Sequence, residues 1–243
     1  MRRIRSVLLA LLAVVVLLAV AFLFYANLVM RGEREQALLA WENDDITITS
    51  TDQSIVMEPV AGATGEGLLF IPGAKVDPYA YLYKLSGVVE SGVTVVITKP
   101  TLNLAFFDFR TLDDFAVDAP GVDEWFVVGH SLGGVKACML ADSPEVAGLV
   151  LFGSYCANDL SGSDLRVLSI VGSDDGLSTP EKVSSAAGEL PASTEYVTIE
   201  GSNHARFGDY GDQAGDGEAT VSTEDARAEI TLALTDFFGL DER

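Results

Sequence analysis

A chain of 243 residues with 49% apolar residues is long enough to bury one substantial hydrophobic core. Its formal net charge of −21 at pH 7 repels the phosphates of nucleic acids, so we expect no nucleic-acid partner. The sequence contains no internal repeat or low-complexity tract, which predicts a single globular domain behind an N-terminal appendage.

The appendage is an apolar segment at residues 7–30 that follows three arginines. About 20 apolar residues cross a bilayer as a helix, whereas the apolar region of a signal peptide has about 7–15. The end of the segment, Asn27–Met30, is a poor cleavage site. We therefore predict a cytoplasmic tip and an uncleaved signal anchor at residues 1–30, with a cleaved signal peptide as the alternative.

The charges on either side of this segment predict its orientation. Three arginines precede the segment, whereas Arg31 and Arg34 follow it. Basic residues are more frequent on the cytoplasmic side of a membrane. The bias predicts a single-pass protein of the cell membrane, with a cytoplasmic amino terminus and an extracytoplasmic domain. Residues 31–45 are interpreted as a juxtamembrane linker with a short helix, and residues 46–243 as the globular domain.

The globular domain opens with two alternating segments, Ile46–Thr49 and Ser54–Met57, which predict an antiparallel hairpin. Apolar strands and helical segments then alternate to the end of the chain. Such alternation predicts an α/β fold, in which helices cover both faces of a mostly parallel sheet. The predicted strands are Gly67–Ile71, Val93–Ile97, Trp125–Val128, Val146–Phe152, Leu165–Val171 and Thr194–Ile199. The predicted helices extend from Asp77 to about Val89, from Val135 onwards and from Pro180 to Leu190, and the final one covers Thr223–Phe238.

The segment Gly129–Gly134, GHSLGG, lies between a strand and a helix. A Gly-x-Ser-x-Gly sequence in this context is typical of a nucleophile elbow, a strained turn that exposes a serine hydroxyl above the sheet. A chance glycine-rich turn is the alternative. We predict that Ser131 is the nucleophile, and that the Leu132 N–H is one donor of an oxyanion hole. The second donor is expected in the loop after the Gly67–Ile71 strand, at Ala74 or alternatively at Gly73.

A serine nucleophile needs a base, and a third group must orient that base. The sequence has two histidines, and His130 belongs to the elbow itself. His204, in the loop after the last predicted strand, is therefore the candidate base. The acid is expected in the loop that follows Val171, where Asp174 and Asp175 are adjacent. Asp159 and Asp164 are less favoured alternatives.

Three further features leave alternatives open. Cys138 and Cys156 are either buried thiols or, outside the membrane, a disulfide. Asn103, Phe106 and Phe107 follow a strand at the catalytic edge and are candidates to line a substrate pocket, although simple packing is the favoured explanation of the two phenylalanines. The polar loop 207–218 contains Asp209, Asp212 and Asp216, whose carboxylates lack the regular spacing of a calcium loop. We expect no metal and no cofactor.

The segments IPGAKVDPYAY, KPTLNLAFFD, GHSLGG, GSDDGL and GSNHARFGDYG together resemble the α/β-hydrolase fold, in its compact branch known as the α/β hydrolase fold-5 family. The resemblance covers about residues 67–238. It implies a Ser-Asp-His hydrolase with Ser131, Asp175 and His204 as the triad, because Asp175 has the Gly-x-x-Asp spacing of such enzymes. Dienelactone hydrolases are also similar, but their nucleophile is a cysteine. Only residues 154–164 separate the two strands after the elbow helix, which leaves no room for a lid.

The predicted function is therefore hydrolysis of a carboxylic ester or a similar small acyl substrate at the cell surface. Transfer of the acyl group to an alcohol of the cell envelope would use the same residues. A non-catalytic binding module anchored to the membrane is the third hypothesis, which an intact set of serine, acid and histidine disfavours.

Overall fold

The computed structural model describes residues 2–240. Met1 and residues 241–243, which the predicted domain bounds include, lie outside the described residues. The α-helices are α1 (Arg2–Ala26), α2 (Arg34–Trp41), α3 (Leu82–Glu90), α4 (Leu112–Ala116), α5 (Leu132–Leu140), α6 (Pro180–Ser185) and α7 (Thr223–Phe238). The strands are β1 (Ile46–Ser50), β2 (Ser54–Pro59), β3 (Glu66–Ile71), β4 (Thr94–Thr98), β5 (Glu124–His130), β6 (Val146–Phe152), β7 (Arg166–Gly172) and β8 (Glu195–Ile199).

The strands form one mixed sheet in the order β1-β2-β4-β3-β5-β6-β7-β8. Strand β1 pairs antiparallel with β2, and β2 pairs antiparallel with β4. The remaining pairs, from β4 through β3 to β8, are parallel. This arrangement confirms the mostly parallel sheet, and the opening hairpin is present. The carboxyl ends of the parallel strands therefore meet at one edge, where the site is expected.

Both faces of the sheet are buried, which explains the continuous apolar strands. In β5, Phe126 and Val128 belong to the core on the side of α3 and α7. Val127 lies in the second core, on the side of α5 with Ala137. Successive side chains of a strand point to opposite faces of the sheet. When both faces are covered, the residues on each face must therefore be apolar.

Two predicted helices differ from the observed ones. The segment from Asp77 to Val89 begins as a 3₁₀ turn, Pro78–Tyr81, and continues as α3. The predicted helix from Pro180 to Leu190 ends at Ser185, and a 3₁₀ turn covers Ala187–Glu189. Gly188 lies in that turn, and glycine is a poor helix former.

The connection between β6 and β7 contains neither helix nor strand, in agreement with the predicted lack of room for a lid. Helix α4 was not predicted. Its capping box, Thr111 with Asp114, fixes a helix of only five residues, which is too short to show a helical period. The two cysteines form a disulfide that joins α5, through Cys138, to Cys156 after β6. The disulfide decides between the two alternatives for these residues.

Helix α1 has 25 residues and is long and apolar enough to cross a membrane. Its side chains are exposed, except at Ala26. Such a helix fits a single-pass anchor or a signal sequence. The division at residues 30 and 45 stays a prediction.

Candidate active site

Ser131 lies at the turn between β5 and α5, at the carboxyl edge of the sheet. Its backbone has φ 54° and ψ −124°, a strained conformation for a residue with a side chain. A Cβ on Gly133 would collide with the carbonyl oxygens of Ile71 and Pro72, and one on Gly129 would collide with the Gly133 backbone. The two glycines therefore permit the close packing of α5 on the sheet that a nucleophile elbow requires.

Two hydrogen bonds to the end of β6 and the residues just after it hold the elbow backbone in place. The Ser131 N–H donates to the Phe152 carbonyl oxygen at 3.0 Å. The buried Ser154 hydroxyl donates to the Ser131 carbonyl oxygen at 2.6 Å. Both contacts come from the end of β6, so the backbone on both sides of the Ser131 side chain is held in position.

His204 and Asp175 form a buried pair at the same edge of the sheet. The His204 Nδ1 lies 2.7 Å from Asp175 Oδ2, and both side chains are almost completely buried. A carboxylate accepts, so Nδ1 carries the proton and donates it to this bond. The other ring nitrogen, Nε2, is buried and has no hydrogen-bond partner among the described residues. In the neutral ring Nε2 is an unprotonated acceptor, which is the state that a general base needs.

Asp175 is held by its second oxygen as well. Its Oδ1 accepts from the N–H groups of Leu177 at 2.8 Å and Ser178 at 2.6 Å. Asp174, the alternative acid, is exposed in the same turn, and Asp159 and Asp164 are also exposed. Of the four candidates, Asp175 is the one that the structure brings to His204.

Asp216 supports the histidine loop, a contribution that sequence reasoning missed. Its Oδ1 accepts from the N–H groups of His204 at 3.0 Å, Gly217 at 2.8 Å and Gly176 at 3.1 Å. Its Oδ2 accepts from the Ala205 N–H at 2.8 Å. One carboxylate thus joins the loop that carries Asp175 to the loop that carries His204. The available signal was the Gly- and Asp-rich composition of residues 207–218, which favours a carboxylate-ordered loop but does not select Asp216.

His130, the elbow histidine, is fully buried and lies against His204, with ring centroids 4.5 Å apart. Its Nδ1 lies 2.9 Å from the Tyr81 hydroxyl oxygen, which accepts from the Gly73 N–H at 3.0 Å. We assign the Tyr81 proton to the bond with His130, because the buried hydroxyl has no other acceptor in the described chain. Burial, and next the proximity of His204, lower the pKa of His130 well below its usual value. His130 is therefore expected to stay neutral beside His204, the candidate base.

Of the three N–H groups expected as oxyanion donors, two have no hydrogen-bond partner within the described residues. The Gly73 N–H is occupied by Tyr81, which makes this alternative unfavourable. The N–H groups of Ala74 and Leu132 make no hydrogen bond within residues 2–240. Ala74 follows β3 and Leu132 follows Ser131, so both belong to the loops at the carboxyl edge.

The candidate pocket residues lie near the N-terminal helix. The Asn103 amide donates to the Ala26 carbonyl oxygen at 3.1 Å. The Phe107 ring contacts the Phe22 ring, with centroids 5.5 Å apart, and Phe106 is exposed. A substrate-binding role for these three residues stays a prediction.

The parallel sheet, the strained serine turn and the histidine loop after the last strand together define the α/β-hydrolase class. In agreement, the model of the alpha/beta hydrolase family matches residues 67–228, and the chain belongs to this family. The solved structures include a similar fold, an esterase domain from a Rhodothermus marinus protein, with a TM-score of 0.58. The two chains are 14% identical, and the match covers 79% of this chain and 98% of the esterase domain. No curated protein matches the sequence.

Proposed function

We propose that the protein is a membrane-anchored serine hydrolase that cleaves carboxylic esters with Ser131, His204 and Asp175. The observation that carries the proposal is the buried Asp175–His204 bond, which leaves His204 Nε2 without a partner. This arrangement supplies an oriented base at the edge of the sheet where Ser131 occupies its strained turn.

In the proposed mechanism, the Ser131 hydroxyl attacks the ester carbonyl while His204 Nε2 accepts its proton. The carbonyl oxygen becomes an oxyanion, to which the free N–H groups of Leu132 and Ala74 donate. His204 then gives the proton to the leaving alcohol, and an acyl-serine remains. Water, activated by the same histidine, releases the acid. Asp175 orients the ring and stabilises its charged form throughout both steps.

The esterase assignment has two kinds of support. The family is a hydrolase family, and the fold is shared with the esterase domain from the Rhodothermus marinus protein. Neither metal nor cofactor chemistry is required by the proposed steps, because the chain itself supplies the nucleophile, the base and the oxyanion donors.

The anchor and its orientation are part of the proposal. Twenty-five helical residues extend about 37 Å at 1.5 Å per residue, which exceeds the hydrocarbon thickness of about 30 Å. The disulfide between Cys138 and Cys156 supports an oxidising compartment outside the cytoplasm. Protease added to intact cells should remove the domain and leave a membrane-embedded stub. A soluble mature protein that begins near Arg31 would refute the anchor.

The chemistry is tested with a fluorophosphonate probe on the full-length protein. We expect covalent labelling of Ser131 in the wild type and none in Ser131→Ala. A panel of nitrophenyl esters of increasing acyl length then gives the preferred substrate. Wild-type protein that neither reacts with the probe nor cleaves any ester would refute the hydrolase and favour a binding module.

A further inference from the structure

The end of the N-terminal helix contacts the loops of the candidate active site. Lys75, which follows the proposed oxyanion donor Ala74, lies with its Nζ 3.7 Å from the centre of the Tyr25 ring. Met30 continues this contact: its N–H donates to the Lys75 carbonyl oxygen at 2.7 Å, and its carbonyl oxygen accepts from the Asp77 N–H at 2.9 Å. The carboxyl edge of the sheet is therefore the edge nearest to the apolar helix.

The segment after the helix also reaches the histidine loop. The Glu33 N–H donates to the Asp209 carbonyl oxygen at 2.7 Å, five residues beyond His204. Residues 30–33 thus connect the loop after β3, which carries Ala74, with the loop after β8, which carries His204. Both loops are therefore held by main-chain hydrogen bonds to the segment that directly follows α1.

An exposed aromatic segment, residues 104–109, lies beside the same helix end. We refer to it as the aromatic loop. Phe106 is 48% exposed, Phe107 42% and Phe109 87%. The ring of Phe107 contacts Phe22, which precedes the end of α1 by four residues or about 6 Å. A membrane-spanning α1 would therefore bring the aromatic loop to the depth of the last turn of the span.

The negative charge of this loop is paired with the residue that follows it. The carboxylate of Asp108 is buried and accepts from Arg110 Nε at 2.7 Å, and the two side chains form an ion pair. The loop also packs against α5 through the turn Ala105–Phe107, next to the helix that Ser131 precedes. It therefore offers apolar rings to its surroundings while it contacts the helix that begins directly after Ser131.

We infer that the aromatic loop inserts into the outer surface of the bilayer, so that the active site opens at the membrane interface. The substrate class that fits this position is an ester whose acyl chain resides in the bilayer. Aromatic rings favour the interfacial region of a membrane, and the acidic domain offers no electrostatic attraction to anionic lipids. The inference rests on the proposed anchor and hydrolase activity.

The membrane contact is tested by fluorescence quenching on the full-length protein in phosphatidylcholine vesicles with brominated acyl chains. Phe109→Trp introduces a reporter in the loop, and Leu232→Trp is the matched control, because Leu232 is 62% exposed on α7. The wild type gives the background from Trp41 and Trp125. We expect bromine to quench the added emission of Phe109→Trp and not that of Leu232→Trp. Equal quenching of the two variants would overturn the inference.

The substrate class is tested with Phe109→Ser against Leu232→Ser. Each is assayed on nitrophenyl palmitate in vesicles and on nitrophenyl acetate in water. We expect the rate of Phe109→Ser on the vesicle-borne ester to fall about tenfold, which corresponds to about 1.4 kcal/mol of lost ring burial. Its rate on nitrophenyl acetate should be unchanged. Leu232→Ser should keep both rates.

The outcomes separate the two proposals. An unchanged palmitate rate in Phe109→Ser would overturn the bilayer substrate even if both esters are cleaved. If bromine quenches the emission of Phe109→Trp but the wild type cleaves neither ester, the membrane contact is supported. The same result would overturn the substrate class together with the hydrolase.

Discussion

The substitution Asp175→Asn tests the proposed triad at its best-defined contact. In the wild type, Asp175 Oδ1 accepts from two backbone N–H groups, while Oδ2 accepts from His204 Nδ1. An asparagine at this position has one acceptor oxygen and one amide nitrogen. The two N–H donors of Leu177 and Ser178 require the oxygen at the Oδ1 position. The amide nitrogen must therefore face His204.

This fixed orientation reverses the hydrogen bond to the histidine. The amide donates, so His204 Nδ1 becomes the acceptor and the ring proton moves to Nε2. A protonated Nε2 cannot accept the proton of Ser131. We expect turnover to fall by about 10⁴-fold, or about 5 kcal/mol of transition-state stabilisation, the scale that such a change has in serine hydrolysis.

The assay compares kcat for a soluble nitrophenyl ester in the wild type, in Asp175→Asn and in Asp174→Asn. The control residue is the exposed neighbour in the same turn, and we expect its variant to keep kcat within about twofold. Thermal melting should show that both variants are folded. If Asp174→Asn lost turnover and Asp175→Asn retained it, the assignment of the acid would be wrong.

Three further predictions concern buried groups. The lowered pKa of His130 contributes stability that is present above its unfolded value of about 6.5 and is lost as pH falls below it. The free energy of unfolding of the wild type, measured in urea, should therefore fall more between pH of about 7.5 and 5 than that of His130→Gln; equal dependence on pH would contradict this. Lys84 and Asp209 form a buried ion pair at 2.9 Å, in which burial lowers the pKa of the lysine and raises that of the aspartate. Lys84→Met alone should lower the free energy of unfolding by about 3–5 kcal/mol, whereas Lys84→Met with Asp209→Leu should recover it; a double variant no better than the single one would refute this. Cys138→Ala with Cys156→Ala should cost about 3 kcal/mol in the same assay, because the disulfide closes a loop with a sequence separation of 18; an unchanged midpoint would count against this.

Much of the fold could be predicted because its signals are local. The strand β6 and the helix α7 have the predicted bounds, since apolar runs and a helical period are readable within one segment. The elbow is local as well: a serine between glycines, after a strand and before a helix, specifies its own strained turn. His204 was predicted as the base by elimination, because the sequence has a single histidine outside the elbow.

The short elements were missed for a related reason. Helix α4 and the 3₁₀ turns at Thr101–Asn103 and Ala105–Phe107 have three to five residues, less than two helical turns. Such segments contain no measurable period. Their conformation depends on capping bonds and on packing against neighbouring elements.

The sequence by itself thus determined the class of fold, the position of the serine turn and the apolar character of α1. Tertiary structure decided the order of the strands and the joining of Cys138 to Cys156. It also decided that Asp175 contacts His204 while its neighbour faces solvent, and that Asp216 joins the two loops. Adjacent residues of a turn share the same local signal, but their side chains point in different directions. Which one meets a partner 29 residues away therefore depends on the path of the whole chain.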